Sequence, residues 1–138
     1  MDIQVYTSYF GNIKALKEHG IIPISIARWL PKWYNGISLK NVAPTPSMLK
    51  DDITRDEYIK RYNELLQKID ANEFLETLKF FSKGQPCALI CYEKPNEFCH
   101  RHLLAKYLND KLNLNIEEFK VKEDIKAKEN KPEELSLF

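Results

Sequence analysis

The chain reads as a small three-layer α/β domain, with a mainly parallel sheet of about four strands and helices on both faces. Three observations predict this fold. Short apolar runs of strand length alternate with segments of helical periodicity. The runs at residues 21–27 and 86–92 lack polar alternation, the pattern of strands covered on both faces. The size, 138 residues with 43% hydrophobic and 30% charged, suits one domain that buries roughly two thirds of its unfolded surface.

Taken in order, residues 3–10 are β-rich and form the first strand. Gly11-Asn12 supplies a turn and cap, and Ile13, Leu16 and Lys17 continue as a short helix ended by His19-Gly20. Residues 21–27 are the second strand. From residue 28 to 50 the pattern lapses, because Pro31, Gly36, Pro44 and Pro46 interrupt any long element. A connection of that length in a compact domain is commonly functional, and its large aromatics argue against disorder.

Thr54-Arg55-Asp56-Glu57 is a capping box that opens a helix with Tyr58, Tyr62, Leu65, Leu66 and Ile69 on one face. Residues 70–73 repeat the capping pattern, Phe74, Leu75, Leu78 and Phe81 make the next stripe, and Gly84 closes it. Residues 86–92 are the third strand. A helix starting at Asn96 or Cys99 turns Leu104, Ala105, Leu108 and Leu112 inward, and residues 113–119 read as a last strand. The division is thus a domain at 1–119, a charged linker at 120–133, and a terminal peptide at 134–138.

Net charge is +1, which excludes the strongly basic balance of a protein that coats nucleic acid. The charge is uneven, however. No acid stands between Glu18 and Asp51, where Arg28, Lys32, Lys40 and Lys50 interleave with Trp29, Trp33 and Tyr34. Cations beside aromatic rings suit an anionic ligand with a flat ring, such as a nucleotide; a packed loop with solvated charges is the plainer reading. Three cysteines argue against a disulfide framework. Without a leader-like start or an apolar run of about 18 residues, the expectation is a cytoplasmic protein with reduced thiols and no membrane partner.

In open α/β sheets ligands gather beyond the carboxyl ends of the strands. The assignment places Thr7 and Ser8, then Arg28, then Cys91 and Glu93 at those ends, with Cys99, His100 and Arg101 at the start of the following helix. Cys99 beside a helix start is a candidate nucleophile, and Cys91 a second nucleophile or resolving thiol. Glu93 is a candidate base and His100 or His102 a proton carrier. Arg28, Trp29, Lys32, Arg101, Thr7 and Ser8 are the candidate ligand contacts. An inert buried Cys99 and an Arg101–Glu93 ion pair are the structural readings of the same residues. Cys87 lies about 13 Å up the strand from Cys91, and the Cys/His spacing matches no standard zinc pattern, so no metal is expected.

The run from Cys91-Tyr92-Glu93 to Cys99-His100-Arg101 resembles the signature of the "domain of unknown function 488" family, a buried strand ending in Cys-x-Glu, a short loop, and Cys-His-Arg opening a helix. The stretch from Ile24 to Gly36 is similar as well, although many relatives carry Asp-Val-Arg where this chain reads Ile26-Ala27-Arg28. The resemblance covers nearly all of residues 1–119. It implies a compact α/β fold, with Cys91, Glu93, Cys99, His100 and Arg101 at the family's motif positions, and supplies no settled activity or cofactor.

The terminal Glu134-Leu135-Ser136-Leu137-Phe138 resembles the peptide with which bacterial replication and repair proteins dock on the DNA sliding clamp, Gln-Leu-Ser/Asp-Leu-Phe, with Glu134 in place of glutamine. Leu135, Leu137 and Phe138 would fill apolar pockets of the partner, with Ser136 between them; folding back onto their own domain is the alternative. The leading expectation is an accessory factor of DNA metabolism with an anion-binding, cysteine-containing site. The rivals are a non-catalytic ligand-binding module and a small-molecule enzyme with no link to DNA.

Overall fold

In the computed structural model, residues 3–50, 52–92 and 99–120 are described. Five strands form one sheet in the order β3-β2-β4-β1-β5, and every pairing is parallel. They are β1 (Val5–Tyr9), β2 (Ile22–Ser25), β3 (Ile37–Ser38), β4 (Cys87–Cys91) and β5 (Glu117–Glu118). The helices are α1 (Ile13–Glu18), α2 (Arg55–Gln67), α3 (Ala71–Ser82) and α4 (His100–Leu112). The α/β expectation holds, with one more strand than the sequence indicated. The addition, β3, is two residues long and lies inside the proline-broken stretch, too short to carry a periodicity.

β4 is central and buried throughout, between β1 on one side and β2 on the other. Its residues alternate between two cores. Cys87 and Leu89 face Ile24, Val5 and the inner sides of α2, α3 and α4, whereas Ala88 and Ile90 face Phe10, Ile13, Leu16 and Tyr34 on the side of α1. Both capping patterns form: the side chains of Thr54 and Asp70 accept from the backbone N–H of Glu57 and Glu73. Helix α3 ends through Lys83 in the left-handed region followed by Gly84 at φ 79°. Phe81 departs from its expected stripe and is 42% exposed beside Phe80, because Ser82 takes the buried position of that last turn.

Helix α4 begins with Cys99 as its N-cap, so the later of the two expected starts is the observed one. Among the described residues, no helix is long and apolar enough to cross a membrane. The linker beyond Lys120, the terminal peptide and Glu93 lie outside the described residues.

Candidate active site

The carboxyl ends of β2 and β4 are adjacent because these strands pair from Ile22↔Cys87 to Ser25↔Ile90. Above them opens a crevice of about 380 Å³ whose lining includes Arg28, Trp29, Arg55, Tyr58, Cys91, Tyr92, Cys99 and His100. Four of the sequence-derived candidates on the helix and strand ends, Cys91, Cys99, His100 and Arg28, therefore share one cavity. Trp29 joins them, 59% exposed. Lys32 is exposed and is not part of the lining, and Trp33 lines a different cavity beside α1. The turn closed by Tyr34 N–H to the Pro31 carbonyl separates the two tryptophans.

Cys91 ends a fully buried strand and Cys99 caps α4, and their sulfurs are within bonding distance as a disulfide. Paired sulfurs were not anticipated by the expectation of reduced thiols. The third cysteine, Cys87, is free and buried, and burial pushes its thiol up to about 12. It is inert at neutral pH.

His100 is buried and donates from Nε2 to the carbonyl oxygen of Ile26 at 2.7 Å. A carbonyl can only accept, so the proton sits on Nε2 and the lone pair of Nδ1 is presented to Cys99 Sγ, 3.7 Å away. Burial lowers the imidazole to about 4, which the Ile26 hydrogen bond only partly offsets. His100 is thus a neutral imidazole at physiological pH, and it would be a weak base toward Cys99 once that sulfur is reduced to the thiol.

Arg101 is fully buried. It donates from Nη1 to Cys91 Sγ at 3.0 Å and from Nε and Nη2 to the two oxygens of Glu118, each at 3.2 Å. The carboxylate partner is therefore on β5, brought beside α4 by pairing of that strand with β1. Thr7 is part of the same cluster, donating its hydroxyl to Glu118 at 2.6 Å, and His102 reaches the same oxygen at 3.2 Å. Burial raises the Glu118 carboxyl, but the hydrogen bonds from His102, Thr7 and Arg101 outweigh it and hold the group at about 2. Ser8 is fully buried and accepts from Asn12. Thr7, Ser8 and Arg101 thus lie behind the sulfurs, while Arg28 and Trp29 lie in front of them.

Arg28 does two jobs. It lines the crevice, and its guanidinium donates to the carbonyls of Pro44 at 2.8 Å and of Lys40 and Ala43 at 3.4 Å. Lys40 returns a hydrogen bond from its ammonium to the Arg28 carbonyl. The Tyr62 hydroxyl donates to Val42 at 2.6 Å, so the wall formed by residues 40–44 is fastened from two sides.

Three contributors were missed from sequence. Glu118 had a signal, an acid in a strand read as part of a parallel sheet, where a charge needs a partner. Arg55 and Tyr58 also had one: the capping box at Thr54 places both in the first turn of α2. The tether from His100 to Ile26 spans 74 residues and had none.

A family model described as "DUF488-N3a: Active DUF488-N3 subclade" matches residues 17–112, well over half of the chain and all of the crevice-lining residues. No curated protein and no solved structure matches significantly. The chain belongs to the DUF488 family, within its DUF488-N3a subclade.

Proposed function

We propose that this chain is a sulfur-dependent accessory protein of DNA metabolism. In this reading a nucleotide, or the end of a nucleic-acid strand, occupies the crevice in front of Cys91 and Cys99, and the terminal peptide carries the domain to the sliding clamp. The observation behind it is the composition of the crevice. One cavity combines two sulfurs and an imidazole with the guanidinium-bearing Arg28 and Arg55 and with the rings of Trp29, Tyr58 and Tyr92. Cations bind the phosphate and an exposed indole stacks on the base, each at low sequence selectivity. The family model's description as an active subclade is in keeping with a chemical role for the domain.

The clamp part rests on the terminal Leu135-Ser136-Leu137-Phe138, which is a short apolar docking peptide by pattern. A coil of about 14 residues has a reach of roughly 20 Å, enough to keep a domain beside clamped DNA. It also accounts for how a chain of net charge +1 finds DNA without a broad basic surface.

Nucleotide and oligonucleotide titrations of a Trp33→Phe variant, read by Trp29 fluorescence, test the crevice. Saturable quenching is expected. Replacing Trp29 by alanine, with binding then read calorimetrically, should weaken it about 5- to 150-fold, the worth of one stacked base. An unchanged signal throughout the series removes the nucleotide reading. Clamp capture with and without residues 134–138 tests the tail, and equal retention by both forms removes the clamp.

A further inference from the structure

We propose that Cys91, Cys99 and His100, in the dithiol form of the protein, make a three-ligand zinc site whose fourth position opens into the crevice. The ligand atoms of these three residues, and of no other group of three among the described residues, lie within 4.8 Å of one another with all three residues buried. A tetrahedral zinc with Zn–S bonds of about 2.3 Å and Zn–N bonds of about 2.0–2.1 Å spaces a sulfur and a nitrogen ligand about 3.6 Å apart. Cys99 Sγ and His100 Nδ1 are separated by 3.7 Å. The Cα atoms of Cys91 and Cys99 are 7.6 Å apart, wider than the roughly 4.4–6.8 Å usual for disulfides and accommodating for two sulfurs that straddle an ion.

The surroundings fit a metal ligand set. His100 donates its Nε2–H to the Ile26 carbonyl, which fixes the tautomer with Nδ1 as the ligand, the arrangement that zinc-bound histidines use. Arg101 directs Nη1–H at Cys91 Sγ and is itself neutralised by Glu118. Two thiolates and a dication leave the buried centre neutral, so the ion lifts the penalty of charged sulfurs in a dry place. Two sulfurs and one nitrogen are a borderline-soft set that favours zinc over magnesium or calcium. Since all three residues line the crevice, the remaining position is a place for water or an oxygen of the bound molecule, as in catalytic rather than structural zinc sites. Sequence spacing conceals the set because two ligands are adjacent, one the cap of α4 and one its first residue.

The chemistry balances simply. The disulfide takes two electrons from the reductant to give two thiols. The two protons come from a dithiol, which closes to its own disulfide, or from water, whose oxygen ends on the phosphine oxide, and binding Zn²⁺ then releases both protons. The inference rests on the crevice being the reactive site. It does not depend on which molecule enters.

The test is the full chain, reduced with a phosphine, equilibrated with Zn²⁺ or Co²⁺ and freed of excess metal. About one ion per chain is expected, and the cobalt form should show thiolate-to-metal charge transfer. Cys91→Ser, Cys99→Ser and His100→Ala should each weaken binding by more than the roughly 10–100-fold that loss of a supporting partner costs, whereas Cys87→Ala should retain the ion. A reduced wild-type chain that binds neither metal overturns the proposal, as does retention of the ion in the Cys91→Ser/Cys99→Ser double variant. The cobalt spectrum of the wild type stands even where a variant fails to fold. The Trp29 titration reads ligand binding separately, so loss of the zinc site and loss of the nucleotide reading are distinguishable.

Discussion

Arg101 grips Glu118 through two N–H···O bonds of 3.2 Å, from Nε to Oε1 and from Nη2 to Oε2. The same guanidinium reaches Cys91 Sγ at 3.0 Å. This pair joins the start of α4 to the edge strand β5 and sets the back wall behind the sulfurs. Glu118 stands 17 residues from Arg101 and 111 from Thr7, which binds the same carboxylate, so the cluster forms only when β5 has paired with β1.

Replacing either partner by leucine removes the ion pair between them from a buried place. Arg101→Leu and Glu118→Leu should each cost about 3 kcal/mol, the low end for broken buried pairs because Glu118 retains some exposure. The double variant should cost less than the two single losses added, by about 0.5–3 kcal/mol. Urea unfolding of the four proteins measures both quantities.

Acid should reveal the same carboxylate. The folded Glu118 group sits at about 2 against an ordinary value of 4.5. A depressed folded value means that its stabilisation is whole above the ordinary value and is lost as pH falls from about 4.5 toward 2. The stability gap between the wild type and Glu118→Gln, followed by urea midpoints, should therefore be constant near neutrality and close across that acid window.

Thiol labelling should divide the cysteines. After reduction in the absence of metal, Cys91 and Cys99 should react with a small alkylating reagent from the crevice, and Cys87 only on unfolding. Burial holds the Cys87 thiol at about 12 within the sheet. Peptide mass mapping at native and denaturing conditions reads the order.

Tyr62→Phe removes the hydroxyl that satisfies the Val42 carbonyl. The orphaned acceptor should cost about 1–3 kcal/mol. Because the 40–44 wall borders the crevice through Pro44, ligand affinity should fall alongside stability, as calorimetric titration would show.

Helix ends should behave independently of all this. Thr54→Ala and Asp70→Ala each remove a side-chain acceptor from an exposed N-terminus, at a cost of about 1 kcal/mol apiece. Thermal unfolding of the single and double variants should show additive losses.

Much of the architecture was legible because its causes are local. Capping residues at Thr54 and Asp70, the Gly84 stop and the apolar run of β4 act within a few positions, and each produced the expected element. The grouping of Cys91, Cys99 and His100 was legible too, since strand end and helix start are consecutive in the chain. What escaped were relations between distant segments. Arg101 found its acid on β5, and Ile26 offered a carbonyl to an imidazole 74 positions away. No periodicity encodes such meetings; they depend on the order β3-β2-β4-β1-β5, which sets which strand mouths become neighbours.

The reciprocal ties between Arg28 and residues 40–44 close the stretch from 29 to 39 into a loop. Its two feet are clamped at one strand end. Within that span Trp29 lines the crevice, whereas Tyr34 and Leu39 are buried in the core and Ile37–Ser38 pair with β2. An exchange at Trp29 would thus alter the opening and leave the sheet intact, while exchanges further along would reach the fold itself.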